Sequence, residues 1–197
     1  TYAEGIMQDE LEALAKHIVS TKQLLCSSCQ VIYMDTENDI DLHRFCRRFL
    51  PVLNKAVSAN APVSIGGKAH KALLERTDLL EGFIRGKKEP GRYKGNGCSL
   101  IVCRDSELEL SPMMCNVLVK KLPRRDIVSV LRRKKGYLQT AGILCGEEEY
   151  GTLSEIFARC GVTRITKPGD MSGYFSGEAH DGEYPLTRYV RVVNEII

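Results

Sequence analysis

An α/β fold, with a largely parallel sheet flanked by helices, is predicted by three features of this 197-residue chain. From residue 98 onward, short apolar runs alternate with segments of helical periodicity, the pattern that stacks helices on a sheet of parallel strands. Proline and glycine fall where those segments begin and end. The composition, 43% hydrophobic and 27% charged, is that of a globular chain long enough to bury a core.

The elements follow in order. Met7, Leu11, Leu14 and Ile18 repeat at helical spacing, with Glu10, Glu12 and Lys16 opposite. Val31–Met34 is a short buried-type strand. Asn38 or Asp39 then caps a helix whose apolar positions are Leu42, Phe45, Phe49 and Leu53. Pro51 is expected to kink that helix or divide it, because it lacks the amide hydrogen the ladder needs. After Pro62 and Gly66-Gly67 a short helix is predicted over 68–80, and 86–97, with Pro90, Gly91, Gly95 and Asn96, reads as a loop. Strands are predicted over 98–104, 115–119 and 140–144. Between them Pro123 starts a helix carrying Ile127, Val128 and Leu131, and Gly136 ends it. Glu147–Cys160 is a helix stopped by Gly161. Arg164–Thr166 is a brief strand, and a glycine-rich loop leads to a last apolar strand over 189–197. That strand lies beyond the alternating unit, and an apolar strand without a local partner seeks another sheet.

Several function classes drop out. No run of roughly 18 apolar residues could form a membrane-spanning helix. The start, Thr1-Tyr2-Ala3-Glu4-Gly5, has neither an initiator methionine nor a signal-peptide pattern, so the chain reads as one domain cut from a longer cytoplasmic protein. Its eight cysteines sit mostly in apolar runs and read as reduced thiols. Cys26-x-x-Cys29 has half the spacing of a zinc site, but no second close pair follows, and no metal is expected. The net charge is only +3, although basic residues gather over 120–135. Such a patch suits either a solvated helix or the phosphates of coenzyme A and an acidic carrier partner. No aromatic residues interleave with it, so nucleic-acid binding by stacking is not expected.

The candidate nucleophile is Cys26, in Gln23-Leu24-Leu25-Cys26-Ser27-Ser28-Cys29-Gln30. It stands between a helix and a strand, where rigid structure can hold a thiol at the edge of a cleft. A thiolate is the nucleophile, and a cation or helix N-terminus facing it would favour that form. The competing reading is that Cys26 only packs, as most free cysteines do.

Near the other end lies His180-Asp181-Gly182-Glu183-Tyr184-Pro185-Leu186-Thr187-Arg188-Tyr189-Val190-Arg191. The pairing of the Cys-Ser-Ser-x-Gln run with this His-Asp-Gly-x-x-Pro-Leu-x-x-x-Val-Arg tail resembles the LuxC-type bacterial fatty-acyl reductases, members of the aldehyde dehydrogenase superfamily. The resemblance spans residues 1–197 and implies the nucleophile-bearing catalytic domain of such an enzyme, its nucleotide-binding half lying outside this chain. It implies NADPH as reductant, and an acyl-CoA or acyl-protein thioester as substrate. A partner that transfers acyl groups, and a homo-oligomer joined through a late strand, are implied as well.

By that chemistry Cys26 takes the acyl group from the thioester, and hydride transfer then gives the aldehyde. The Cys26 backbone amide is a candidate donor to the oxyanion. Glu109, in Glu109-Leu110-Ser111-Pro112, is similar to the Glu-x-Phe-Gly-Pro segment that holds the nicotinamide ribose in aldehyde dehydrogenases; the alternative is a surface glutamate. His180 is a candidate general base or a structural histidine, and Asp181-Gly182 a tight turn that aims the tail. No Gly-x-Gly-x-x-Gly fingerprint occurs. Two other functions remain open at this point: a non-catalytic assembly domain, and a short-chain CoA-acylating aldehyde dehydrogenase.

Overall fold

The computed structural model describes residues 4–60, 65–84, 86, 91–191, 193 and 195. Its main sheet holds four strands in the order β1 (Val31–Met34), β4 (Asn116–Lys121), β3 (Ser99–Val102), β2 (Gly91–Lys94). β4 runs parallel to both β1 and β3, while β2 closes the edge antiparallel to β3. A second sheet pairs β5 (Thr140–Gly142) with β6 (Arg164–Thr166) in parallel. The architecture is α/β with a mostly parallel sheet and helices, as the alternating pattern predicts.

Two helices cover one face of the main sheet. α1 (Glu4–Thr21) turns Leu11, Leu14, Ala15, Ile18 and Val19 inward, and α2 (Asp39–Ser58) turns Leu42, Cys46, Phe49 and Leu53 inward. They meet Leu100 and Val102 of β3 and Val117 and Val119 of β4, alternate residues that share a face because strand side chains alternate. Ile101 and Leu118, between them, are buried as well. A central parallel strand is covered on both sides, so its sequence is a continuous apolar run. The second core gathers Leu122, Ile127, Leu131, Ile143, Leu153 and Cys160, packing α4 (Ile127–Leu131) and α5 (Glu147–Cys160) together beside the small sheet.

The helix ends follow local chemistry. Asn38 caps α2, its side-chain oxygen accepting from the Ile40 amide at 2.9 Å. α5 opens with Glu147, Glu148 and Glu149 against the positive end of the helix dipole, and Gly161 ends it at φ +98°.

Four expectations need correction. α2 passes through Pro51 as one helix of 20 residues. Pro51 sits on its exposed side, while Leu42, Cys46, Phe49 and Leu53 hold both halves to the core, which outweighs one lost ladder bond. The helix expected over 68–80 extends over α3 (Ile65–Ile84). The segment read as a loop over 86–97 contains β2, which forms a hairpin with β3, Gly91 opposite Val102 and Lys94 opposite Ser99. The terminal strand differs too: Pro185–Arg188 is a 3-10 turn, and the described residues from Tyr189 onward form no strand. Val192, Asn194, Ile196 and Ile197 lie outside the described residues.

Candidate active site

Cys26 is exposed, at the second position of a turn from Leu25 to Ser28. The Ser28 amide donates to the Leu25 carbonyl at 3.0 Å, and the Leu25 amide donates back to Ser28 Oγ at 2.9 Å. Buried glutamine chemistry anchors this turn from below. Gln23 Nε2 donates to the Cys29 carbonyl and Gln30 Nε2 to the Gln23 carbonyl, each at 2.9 Å. Gln30 Oε1 accepts from Ser111 Oγ at 2.8 Å. The buried His17 ring bonds the Ser27 backbone, and burial lowers its pKa, so it supports the turn as a neutral imidazole. Ser27 Oγ reaches Ser172 Oγ at 3.1 Å, joining the turn to the chain beyond β6.

The backbone around this turn is strained. Lys22 and Gln23 have φ of 51° and 62°, and Met113, Met114 and Cys115 have φ of 58°, 50° and 65°. The Met114 amide donates to the Lys22 carbonyl at 3.0 Å, so the two left-handed segments brace each other. Each such residue costs on the order of 1–3 kcal/mol and persists only where its surroundings over-determine it. Strain of this kind gathers at functional sites, and here it stands directly before Cys26.

The other end of the chain meets Cys26 through one side chain that the sequence did not single out. Gln139 Nε2 lies 3.4 Å from Cys26 Sγ and 2.5 Å from Asp181 Oδ1, donating to both. Asp181 and Gly182 sit at φ 52° and 83° in a tight turn in which His180 and Glu183 exchange backbone hydrogen bonds of 2.9 and 3.0 Å. An Asp-Gly pair with positive φ at both positions is the two-residue hairpin turn the sequence suggests. The Cys-Ser-Ser run and the His-Asp-Gly tail are thus brought together, with Gln139 between them. His180 is exposed, its Nδ1 3.1 Å from Asp181 Oδ2. It bonds its neighbour rather than the thiol, which suits a structural histidine.

Glu109 is engaged elsewhere. Lys120 is wholly buried in β4, and its Nζ lies 2.6 Å from both Asp105 Oδ1 and Glu109 Oε1 and 2.8 Å from the Glu107 carbonyl. A buried ammonium needs such partners. The same carboxylates, after burial itself, push the Tyr33 phenol above its ordinary range. The basic run over 120–135 is likewise half neutralised: Lys121 pairs with Asp39, Arg124 with Asp35 and Glu149, and Arg125 with Glu37.

Cys29 separates from Cys26 completely. It is buried, and desolvation pushes its thiol up to about 12. The two cysteines therefore do not share one environment, and among the described residues no group of three or more His, Cys, Asp and Glu could hold a metal ion.

Neither candidate for holding a dinucleotide is open to one among the described residues. Glu109 is held by Lys120 rather than offered to a ribose. The Gly91–Gly97 cluster is no open phosphate cradle either: a Cβ on Gly95 would fall 2.3 Å from Asn54 Oδ1, which itself accepts from the Asn96 amide at 2.8 Å.

The fold is thus an α/β domain that carries its one fully exposed cysteine on a strained, side-chain-anchored turn. The sequence assigns it further: the family model of the acyl-CoA reductase LuxC matches residues 3–192. The chain belongs to the LuxC acyl-CoA reductase family, whose chemistry is oxidoreduction of an acyl-CoA. No curated protein matches the sequence. Among the described residues, no helix is long and apolar enough to cross a membrane.

Proposed function

We propose that Cys26 is the acyl-accepting nucleophile of an NADPH-dependent reductase that converts fatty acyl thioesters to aldehydes. The observation that carries this is the exposure of the Cys26 thiol on an anchored turn, with an amide donor at its sulfur. The Cys26 thiolate attacks the thioester carbonyl carbon; the new sulfur–carbon bond forms and the bond to the coenzyme A sulfur breaks. The Cys26 backbone amide is a candidate donor to the transient oxyanion. NADPH supplies hydride for the reductive half-reaction. The dinucleotide site is expected outside residues 1–197, consistent with the poor fit of Glu109 and the Gly91–Gly97 cluster, and no step of that half is assigned to this chain.

Incubating the intact protein with labelled acyl-CoA, followed by peptide mapping, tests the proposal. Label is expected on Cys26 and none on the Cys26→Ala variant. Label persisting on that variant, or residing on Cys29, contradicts the proposal. By the same reading residues 1–197 alone should form no aldehyde from acyl-CoA with NADPH or NADH.

Assembly is a second, compatible reading, favoured by the exposed apolar side chains Leu80, Phe83 and Ile84 on α3 and Tyr189, Val190 and Val193 in the tail. Fully burying one such side chain stabilises by roughly 1.5–3 kcal/mol. A homo-oligomer, or a partner that delivers acyl groups, would cover them. Deleting residues 188–197 should shift sedimentation towards monomer; an unchanged profile counts against the tail as an interface.

A further inference from the structure

We propose that Gln139 is a second catalytic residue of the Cys26 site, and that Asp181 is a positioning residue that sets which end of the Gln139 amide faces the sulfur. The proposal rests on the reading of Cys26 as acyl acceptor and extends it. A glutamine amide has one end that only donates and one that only accepts. An ionised carboxylate only accepts, so Asp181 Oδ1, 2.5 Å away, draws Nε2 towards itself. The second hydrogen on Nε2 is then left for Cys26 Sγ at 3.4 Å. Turned over, the amide would set Oε1 against the Asp181 carboxylate oxygen, acceptor against acceptor. The third contact agrees, since Thr140 Oγ1 donates to Gln139 Oε1 at 3.4 Å.

The backbone beneath this arrangement is fixed as well. The Gln139 carbonyl accepts from the Thr163 amide, the Arg164 amide and Thr163 Oγ1, at 3.1, 2.9 and 3.1 Å. The Asp181-Gly182 turn rests on the same threonine: a Cβ on Gly182 would lie 2.9 Å from Thr163 Cγ2. Gln139 and Asp181 are therefore registered against one residue, although one stands just before β5 and the other lies in the tail.

The N–H aimed at Cys26 Sγ holds the sulfur at the place from which it attacks. The thiol proton passes to solvent, to which Cys26 is exposed. The thiolate then bonds to the thioester carbonyl carbon as the coenzyme A sulfur leaves, to be protonated by water. Gln139 holds the attacking atom in place, and Asp181 acts only through Gln139.

Single-turnover acylation of the intact protein by labelled acyl-CoA, with alkylation by iodoacetamide alongside, tests the proposal. Gln139→Met, which keeps the side chain's length but has no donor, and Gln139→Ala should each slow both reactions about tenfold, the size of one lost hydrogen bond to a charged acceptor. Asp181→Asn, which lets either end of the Gln139 amide face the sulfur, should slow them several-fold. The double variant Asp181→Asn with Gln139→Met should react no more slowly than Gln139→Met alone, whereas independent structural damage would add. Wild-type rates in folded Gln139→Met, or additive losses in the double variant, overturn the proposal. Acyl label on Cys26→Ala would instead overturn the reading of Cys26 on which it rests.

Discussion

Cys26 and Cys29 lie on one short stretch of chain, yet the structure treats them as different chemical species. Cys29 faces the core formed by α1, α2 and the main sheet, and desolvation holds it as a thiol with a pKa pushed up to about 12. Cys26 faces outward, and its sulfur meets the amide of Gln139. The same contrast separates the polar chemistry of the sheet from that of the rim. Lys120, buried among Asp105 and Glu109, binds its own fold together. Gln139 and Asp181 meet beside an exposed thiol. A polar cluster spent on internal partners is structural, whereas one beside an exposed thiol is the place to test for reaction.

Thiol reactivity tests that contrast with the largest expected effect. A rise from 9.0 to about 12 cuts the thiolate fraction of Cys29 at neutral pH roughly a thousandfold. Cys26 should therefore alkylate at least ~100-fold faster than Cys29, and Cys26→Ala should remove the fast phase. Comparable rates, measured by mass spectrometry, would break the comparison.

Lys120 sharpens it from the other side. Lys120→Ala should cost about 3 kcal/mol in urea denaturation, the lower end for breaking a buried pair, because Asp105 and Glu109 are about one-third exposed and regain water. Lys120→Met should lose less and, once folded, leave Cys26 alkylation unchanged. Slower alkylation in that variant would join two sites that are here held separate.

Alkaline pH offers a third test. Burial raises both Cys29 and Cys46 from 9.0 to about 12. Because the folded state keeps these protons longer than the unfolded state does, their contribution is fully present below the unfolded value. It is lost as pH rises through the folded one. The denaturation midpoint should fall progressively above pH 9.0, and less so in Cys29→Ala. Equal sensitivity in that variant would show that Cys29 is not the buried thiol described. The smallest effect is expected at Asn38: Asn38→Ala removes the α2 cap for about 1 kcal/mol, with no change at Cys26.

What could be read from sequence was local. α5 begins and ends where its acidic first turn and Gly161 place it, and β1 matches its apolar run, because such signals need no distant partner. β2 was hidden because Gly91 and Gly95 look like loop residues until β3 pairs alongside. The continuity of α2 through Pro51 depends on core contacts that periodicity does not weigh. The place of Cys26 between a helix and a strand was legible from the sequence, and the Asp181-Gly182 turn from its dipeptide. The contact of Gln139 with Cys26 was not: a single glutamine before a strand carries no motif, and the contact arises only when β5 docks beside β6 and the tail folds back over Thr163.

Substrate protection tests the central claim most directly. The intact protein, preincubated with acyl-CoA without NADPH, is alkylated with iodoacetamide and its cysteines are mapped by mass spectrometry. Acyl-CoA should block alkylation of Cys26 selectively, leaving an acyl mass on the peptide that contains it, with the other cysteines unaffected. Full alkylation of Cys26 in the presence of acyl-CoA, or an acyl mass on any other cysteine, would contradict the account.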